Sequence, residues 1–191
     1  MPFDPDRHHR RSVRLRDLSY AEPGLYFVTI CTHGRQRLFG DVGAGEMVLS
    51  DLGRIAHDEW LRTPEVRPYV VLDAFVVMPD HVHLLFGILP HEGNAEAPPP
   101  PPADGAGHTS GVSPRRFGNA VPHSVPSIMR MYKSVVTKRI RALDPTVRLW
   151  QARYHDRIVR TDREADALRR YIHENPMRWA AGEDRADGHR A

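Results

Sequence analysis

Only one cysteine, Cys31, occurs in the 191 residues, so neither an intrachain disulfide framework nor a cysteine-based zinc cluster is available. Any metal chemistry must draw on histidine and oxygen ligands. Lysine is scarce as well, supplying two of the 27 basic residues, Lys133 and Lys138. No run approaches the roughly 18 consecutive apolar residues of a membrane span, and the first residues lack the apolar stretch of a secretory signal. The expectation is a soluble, cytoplasmic protein with no membrane partner. At 40% hydrophobic and 27% charged content, the chain suits one ordinary globular domain and is too short for two large ones.

The net charge of +3 is unevenly spread. Arg7, Arg10, Arg11, Arg14 and Arg16 fall in the first sixteen residues, and the 22 basic residues beyond them meet 22 acids. Residues 1–23 therefore read as a basic arm, suited to a polyanion or simply a solvated tail. Residues 24–180 read as a single domain and 181–191 as a polar tail.

Within that domain, 25–32 is β-branched and aromatic and predicts a buried strand. Ser50 can cap a helix over about 51–63, where Leu52, Ile55, Ala56 and Trp60 recur at helical spacing until Thr63 and Pro64 stop it. The runs 69–78 and 81–89, separated by Pro79 and Asp80, predict a tight antiparallel pair. Residues 90–126 hold nine of the 17 prolines and no Ile, Leu, Met, Trp or Tyr, which predicts a flexible insertion. A second helix is predicted over 127–143, with Ile128, Met131, Val135, Ile140 and Leu143 on its apolar stripe. A short strand around Ile158 and Val159 follows. Thr161 and Glu164 open a last helix over 162–174, ended by Asn175 and Pro176. The order β-α-β-β-α-β-α predicts an α+β fold. It is a ferredoxin-like split βαβ with an antiparallel four-stranded sheet, helices on one face, and an added C-terminal helix. The other sheet face would then be free for a ligand.

Two constellations carry chemistry. His81 and His83 flank Val82 on a strand, so both imidazoles point to one face while Val82 enters the core. That arrangement serves metal or phosphate chemistry, or else a structural pair. Tyr171 and Asn175, four apart, share a helical face, with Glu174 close by. They read either as a projecting phenol beside a metal-capable amide, or as a core tyrosine and a C-terminal cap. Tyr132 reads as packing or DNA stacking.

Six blocks in order carry a resemblance: Arg-Arg-Ser-Val-Arg-Leu (10–15), Tyr-Phe-Val-Thr-Ile-Cys-Thr (26–32), Val-Val-Met-Pro-Asp-His-Val-His (76–83), Tyr-Lys-Ser-Val-Val-Thr-Lys-Arg-Ile (132–140), Trp-Gln-Ala-Arg-Tyr-His-Asp-Arg-Ile-Val-Arg (150–160) and Tyr-Ile-His-Glu-Asn-Pro-Met-Arg-Trp (171–179). Together they resemble the REP-associated tyrosine transposases, members of the HUH superfamily of single-strand DNA endonucleases. The long 90–126 insertion departs from simpler members.

The resemblance implies that His81, His83 and Asn175 bind a divalent cation, Mg2+ or Mn2+, and that Tyr171 is the catalytic nucleophile. It implies cutting beside DNA hairpins through a 5′-phosphotyrosine, with no nucleotide cofactor. The alternative is a non-catalytic hairpin-binding module of the same fold. Single-stranded or hairpin DNA is the implied partner, met by a monomer or homodimer. Candidate phosphate contacts are Arg10, Arg11, Arg14 and Arg16 on the arm, and Arg130, Lys133, Lys138 and Arg139 on the second helix. Arg157 and Arg160 on the last strand complete the set.

Overall fold

Strict alternation along β1 (Gly24–Cys31) sends Tyr26, Val28 and Ile30 to one side and Leu25, Phe27 and Thr29 to the other, and this two-sidedness organises the molecule. The computed structural model describes residues 22–90 and 121–182. In it, β1 lies between β5 (His81–Ile88) and β6 (His155–Val159), while β4 (Val70–Val77) completes a four-stranded sheet in the order β4-β5-β1-β6. Every pairing is antiparallel. This is the ferredoxin-like split βαβ arrangement expected from the chain order.

One face is covered by α1 (Asp51–Leu61) and α3 (Val125–Leu143). Tyr26, Val28, Val82, Leu84 and Phe86 of the sheet meet Ala56, Trp60, Ile128 and Tyr132 of the helices. Ser50 caps α1, its Oγ accepting from the Gly53 amide at 3.1 Å. The helix ends at Leu61 and a single turn, α2 (Thr63–Val66), follows with Pro64 near its start. Gly53 lets α1 approach the chain before it, for a Cβ there would lie 2.0 Å from the Phe39 carbonyl oxygen.

The opposite face is not free. Helix α4 (Asp162–Ala180) lies on it, packing Ala165, Leu168 and Ile172 against Leu85 and Val159. Arg169 Nε and Nη2 donate to the two carboxylate oxygens of Asp73 at 2.8 and 2.6 Å, and Asp73 sits at the bulge of β4. This fork ties α4 to the sheet edge. The helix also runs through Pro176 to Ala180, where the sequence predicted a stop at Asn175 and Pro176. Burial of Asn175 and Trp179 beyond that point holds the last turn in place against the proline's preference.

A hairpin, β2 (Gly40–Gly43) and β3 (Glu46–Leu49), was not foreseen. Ala44 and Gly45 turn it with φ of 53° and 80°, the left-handed pair a two-residue hairpin needs. A Cβ on Gly45 would meet Met177 of α4 at 3.2 Å. The second helix also starts earlier than expected: Ser124 caps it and Pro126 lies in its first turn. So 121–126, at the end of the proline-rich stretch, includes an ordered helix start, while 91–120 lies outside the described residues. No described helix is long and apolar enough to cross a membrane.

Candidate functional site

Antiparallel register sets Thr29 directly across from His83 and Cys31 across from His81. All four are on the α4 side of the sheet, and His81 and His83 are almost fully buried under that helix, 3% and 5% exposed. Their Nε2 atoms face each other at 3.0 Å. Behind them, His81 Nδ1–H donates to the Asp80 carboxylate at 2.6 Å, and His83 Nδ1 lies 2.8 Å from Thr29 Oγ1. Burial, together with the neighbouring His81 and Arg35, pushes the His83 pKa well below the ordinary histidine value. His83 is therefore a neutral imidazole, the form that ligates metals.

Helix α4 brings the second constellation onto this pair. The Tyr171 hydroxyl is 3.3 Å from His83 Nε2, and its ring packs edge-on to His83 at 5.1 Å between centroids. Two turns later Trp179 lies 5.9 Å from His81. Asn175, four residues from each, sits midway between them on the same helical face and is fully buried. Neither its Oδ1 nor its Nδ2 has a hydrogen-bond partner. It is thus not a C-terminal cap. Glu174, by contrast, is exposed.

The donor set fits a divalent cation. Two nitrogens each about 2.1 Å from an ion and at right angles are about 3.0 Å apart, against about 3.4 Å for a tetrahedral pair. The observed 3.0 Å suits neighbouring positions of an octahedral ion. The orphaned Asn175 amide supplies the oxygen that such an ion favours. Among the described residues no group of three or more His, Cys, Asp or Glu side chains gathers to hold a metal, so a cation bound by the two histidines would need the asparagine as its third protein ligand.

Several residues at the site escaped sequence reasoning. Phe27 stacks on His83 at 5.4 Å and meets Tyr171 edge-on at 6.3 Å. Arg178 lies over the Tyr171 ring, Arg37 over Trp179 and Arg157 over Phe27, each 5.5–5.6 Å from the ring centre. Arg35, in a left-handed backbone conformation (φ 56°), reaches to 3.5 Å from the Asp80 carboxylate. Only the alternation of β1 hinted at Phe27 and Thr29; Arg157 was expected as a phosphate contact, whereas Arg35, Arg37 and Arg178 were not singled out.

The other predicted DNA contacts divide. Arg157 is at the site and also pairs with Glu164 at 3.3 Å. Arg139 donates to Glu59 at 2.6 Å, joining α3 to α1, and Lys133 donates to the Gln151 carbonyl at 2.7 Å. Lys133, Lys138 and Arg141 line a shallow groove on α3, across the sheet from Tyr171. Arg130 and Arg160 are exposed, and Arg10, Arg11, Arg14 and Arg16 lie outside the described residues. Tyr132 is core: buried against Trp60, it donates to the Ala56 carbonyl at 2.9 Å, and burial raises its pKa.

The four-stranded antiparallel sheet with its helices on both faces is a fold shared with a solved transposase. The solved structure of a REP-associated tyrosine transposase bound to a REP hairpin matches with a TM-score of 0.54 at 17% identity, over 86% of this chain and 73% of that one. A protein of Haemophilus influenzae Rd, described only as uncharacterized, is 32% identical over 178 residues, 90% of this chain and 91% of its own length. The chain belongs to the same family as that protein. No family model matches it.

Proposed function

We propose that this protein is a metal-dependent, single-strand-specific DNA endonuclease and strand transferase that cuts beside DNA hairpins through a 5′-phosphotyrosine intermediate. The observation that carries the reading is the Tyr171 hydroxyl 3.3 Å from His83 Nε2, on a helix that also carries the buried, unpartnered Asn175 one turn further on. The fold shared with a hairpin-bound transposase supports DNA as the partner.

His81, His83 and Asn175 would hold Mg2+ or Mn2+, which when bound polarises a phosphate oxygen and orients the scissile bond. Tyr171 supplies the nucleophile. Its oxygen bonds to phosphorus, the bond to the 3′ oxygen breaks, and the proton given up by the phenol balances the one taken by the leaving 3′ oxygen. The phosphotyrosine conserves the bond energy for rejoining to a second 3′-hydroxyl. Free tyrosine ionises near pH 10, so the phenolate needs help. The guanidinium of Arg178 over the Tyr171 ring and that of Arg157 over Phe27 provide positive charge for the phenolate and the phosphate alike.

The test is a denaturing-gel assay with a labelled hairpin carrying single-stranded flanks. Wild type should form a covalent adduct with Mg2+ or Mn2+ and none with chelator. Tyr171→Phe should abolish the adduct, and His83→Ala should reduce it by at least about 100-fold, while hairpin affinity changes little. Tight hairpin binding without any adduct would identify a binding module instead, and cleavage that survives Tyr171→Phe would mean water is the nucleophile.

A further inference from the structure

We propose that Asp80, steadied by Arg35, is a positioning residue that locks His81 in one tautomer, while Thr29 leaves His83 able to exchange tautomers when a cation arrives. The inference rests on the reading of the two histidines as cation ligands.

The asymmetry lies in the partners behind the rings. A carboxylate only accepts hydrogen bonds, so the 2.6 Å contact from His81 Nδ1 to Asp80 Oδ1 requires the proton to be on Nδ1. His81 Nε2 then carries a lone pair aimed at His83. Asp80 is itself nearly buried, 6% exposed, and its orientation is set from two sides. Its backbone carbonyl accepts from Thr32 Oγ1 at 3.0 Å, and Arg35 Nη1 stands 3.5 Å from its carboxylate. Arg35 reaches it from a turn in which Gly34 and Arg35 both have positive φ, 62° and 56°. A strained non-glycine residue there is consistent with a side chain that must point at one place.

Thr29 imposes no such choice, because a hydroxyl both donates and accepts. The 3.0 Å between the two Nε2 atoms is a good hydrogen bond only if one of them carries a proton, and a neutral His81, the form that ligates metals, has its single proton on Nδ1 toward Asp80. Without a cation, His83 therefore holds its proton on Nε2 and donates it to His81, while the Thr29 hydroxyl donates to His83 Nδ1. For both Nε2 atoms to bind a cation, the His83 proton must leave Nε2 and a proton must reside on Nδ1, with Thr29 rotating to accept it. His81 needs no change. Such a carboxylate-histidine couple fixes ring orientation and raises ligand basicity.

The experiment uses the full chain with 15N-labelled histidine, whose long-range 1H–15N spectra report the protonated nitrogen of each ring. Without metal, His81 should be the Nδ1–H form and His83 the Nε2–H form; saturating Mg2+ should convert His83 to Nδ1–H and leave His81 unchanged. Mn2+ affinity, measured by calorimetry without DNA, should fall about 10–100-fold in Asp80→Ala. It should be largely rescued in Asp80→Asn, whose amide oxygen still accepts from Nδ1–H. An Nε2–H tautomer at His81 in the wild type overturns the proposal, as does a folded Asp80→Ala protein with wild-type Mn2+ affinity. Where Asp80→Ala does not fold, Asp80→Asn and Arg35→Ala take its place, with a mixed His81 tautomer in Arg35→Ala as the supporting result and an unchanged one overturning the role of Arg35. Absence of Mn2+ binding by the wild type would defeat the cation reading of the site, whereas the His81 tautomer would still decide the role of Asp80.

Discussion

Asn175 is a costly residue to place where it stands. A primary amide with no exposed surface and no partner at either end forfeits its hydration, about 1–3 kcal/mol for each unsatisfied group. Leucine, branched at the same carbon with the same number of side-chain heavy atoms, carries no such penalty. Asn175→Leu should therefore melt at the same or a higher temperature than wild type, while Mn2+ affinity and the covalent DNA adduct are lost. A melting temperature several degrees lower would show instead that the amide has a structural partner. Stability given up at one position in exchange for chemistry is what separates a ligand from a packing residue. The four-residue spacing of Tyr171 and Asn175 was legible in the sequence. Thr29 and Phe27 were not, because they meet His83 across the strand register, whereas Asp80 beside His81 and Arg178 two turns beyond Tyr171 are chain neighbours whose side-chain directions the spacing alone left unassigned.

Helix α4 shows the same conflict in its backbone. Pro176 lacks the N–H that would bond to the Ile172 carbonyl, and its ring crowds that carbonyl, yet the helix continues for another turn. Packing decides the outcome: Trp179 is buried beside His81, and Met177 rests on the β2–β3 turn at Gly45. Restoring the bond with Pro176→Ala should stabilise the protein by about 1–3 kcal/mol. It should also slow cleavage, since Asn175 and Trp179 are held relative to Tyr171 by the proline-containing turn. Chemical denaturation and the adduct assay check the two halves, and a destabilised Pro176→Ala would refute the first. Helix α3 illustrates a different limit of local reading. Of its expected apolar stripe, Ile128 and Ile140 are buried while Met131, Val135 and Leu143 are exposed; Met129, Tyr132 and Val136 are the other buried residues of that face. With apolar residues on both sides of the helix, periodicity admits two phases, and the burial of Tyr132 against Trp60 chooses between them.

For the molecule as a whole, burying a neutral imidazole makes stability depend on pH. The unfolded chain protonates His83 near pH 6.5, the folded protein only well below it. In the interval between, the unfolded state binds more protons, so stability falls as pH falls from about 6.5 toward the folded pKa, at up to about 1.4 kcal/mol per pH unit. Urea unfolding at pH 7.5 and pH 5.5 should show this loss in wild type and a smaller one in His83→Gln; equal losses would place the acid sensitivity elsewhere. Sandwiching the sheet between α1 and α3 on one side and α4 on the other creates that dry environment. An open ligand face, as the chain order first implied, would leave the His83 imidazole hydrated and remove the cause of its lowered pKa.

By itself, the amino-acid order determined the four strands of the sheet and its three long helices but not the β2–β3 hairpin, together with the histidine pair on one face of β5 and the tyrosine and asparagine on one face of α4. Each of these follows from a fixed local period, two along a strand and 3.6 along a helix. Tertiary structure alone decided that α4 crosses the sheet face holding the histidines, that it persists through Pro176, and that Thr29 stands behind His83. Those outcomes turn on contacts between segments tens of residues apart, where buried area and hydrogen-bond satisfaction outweigh local preference.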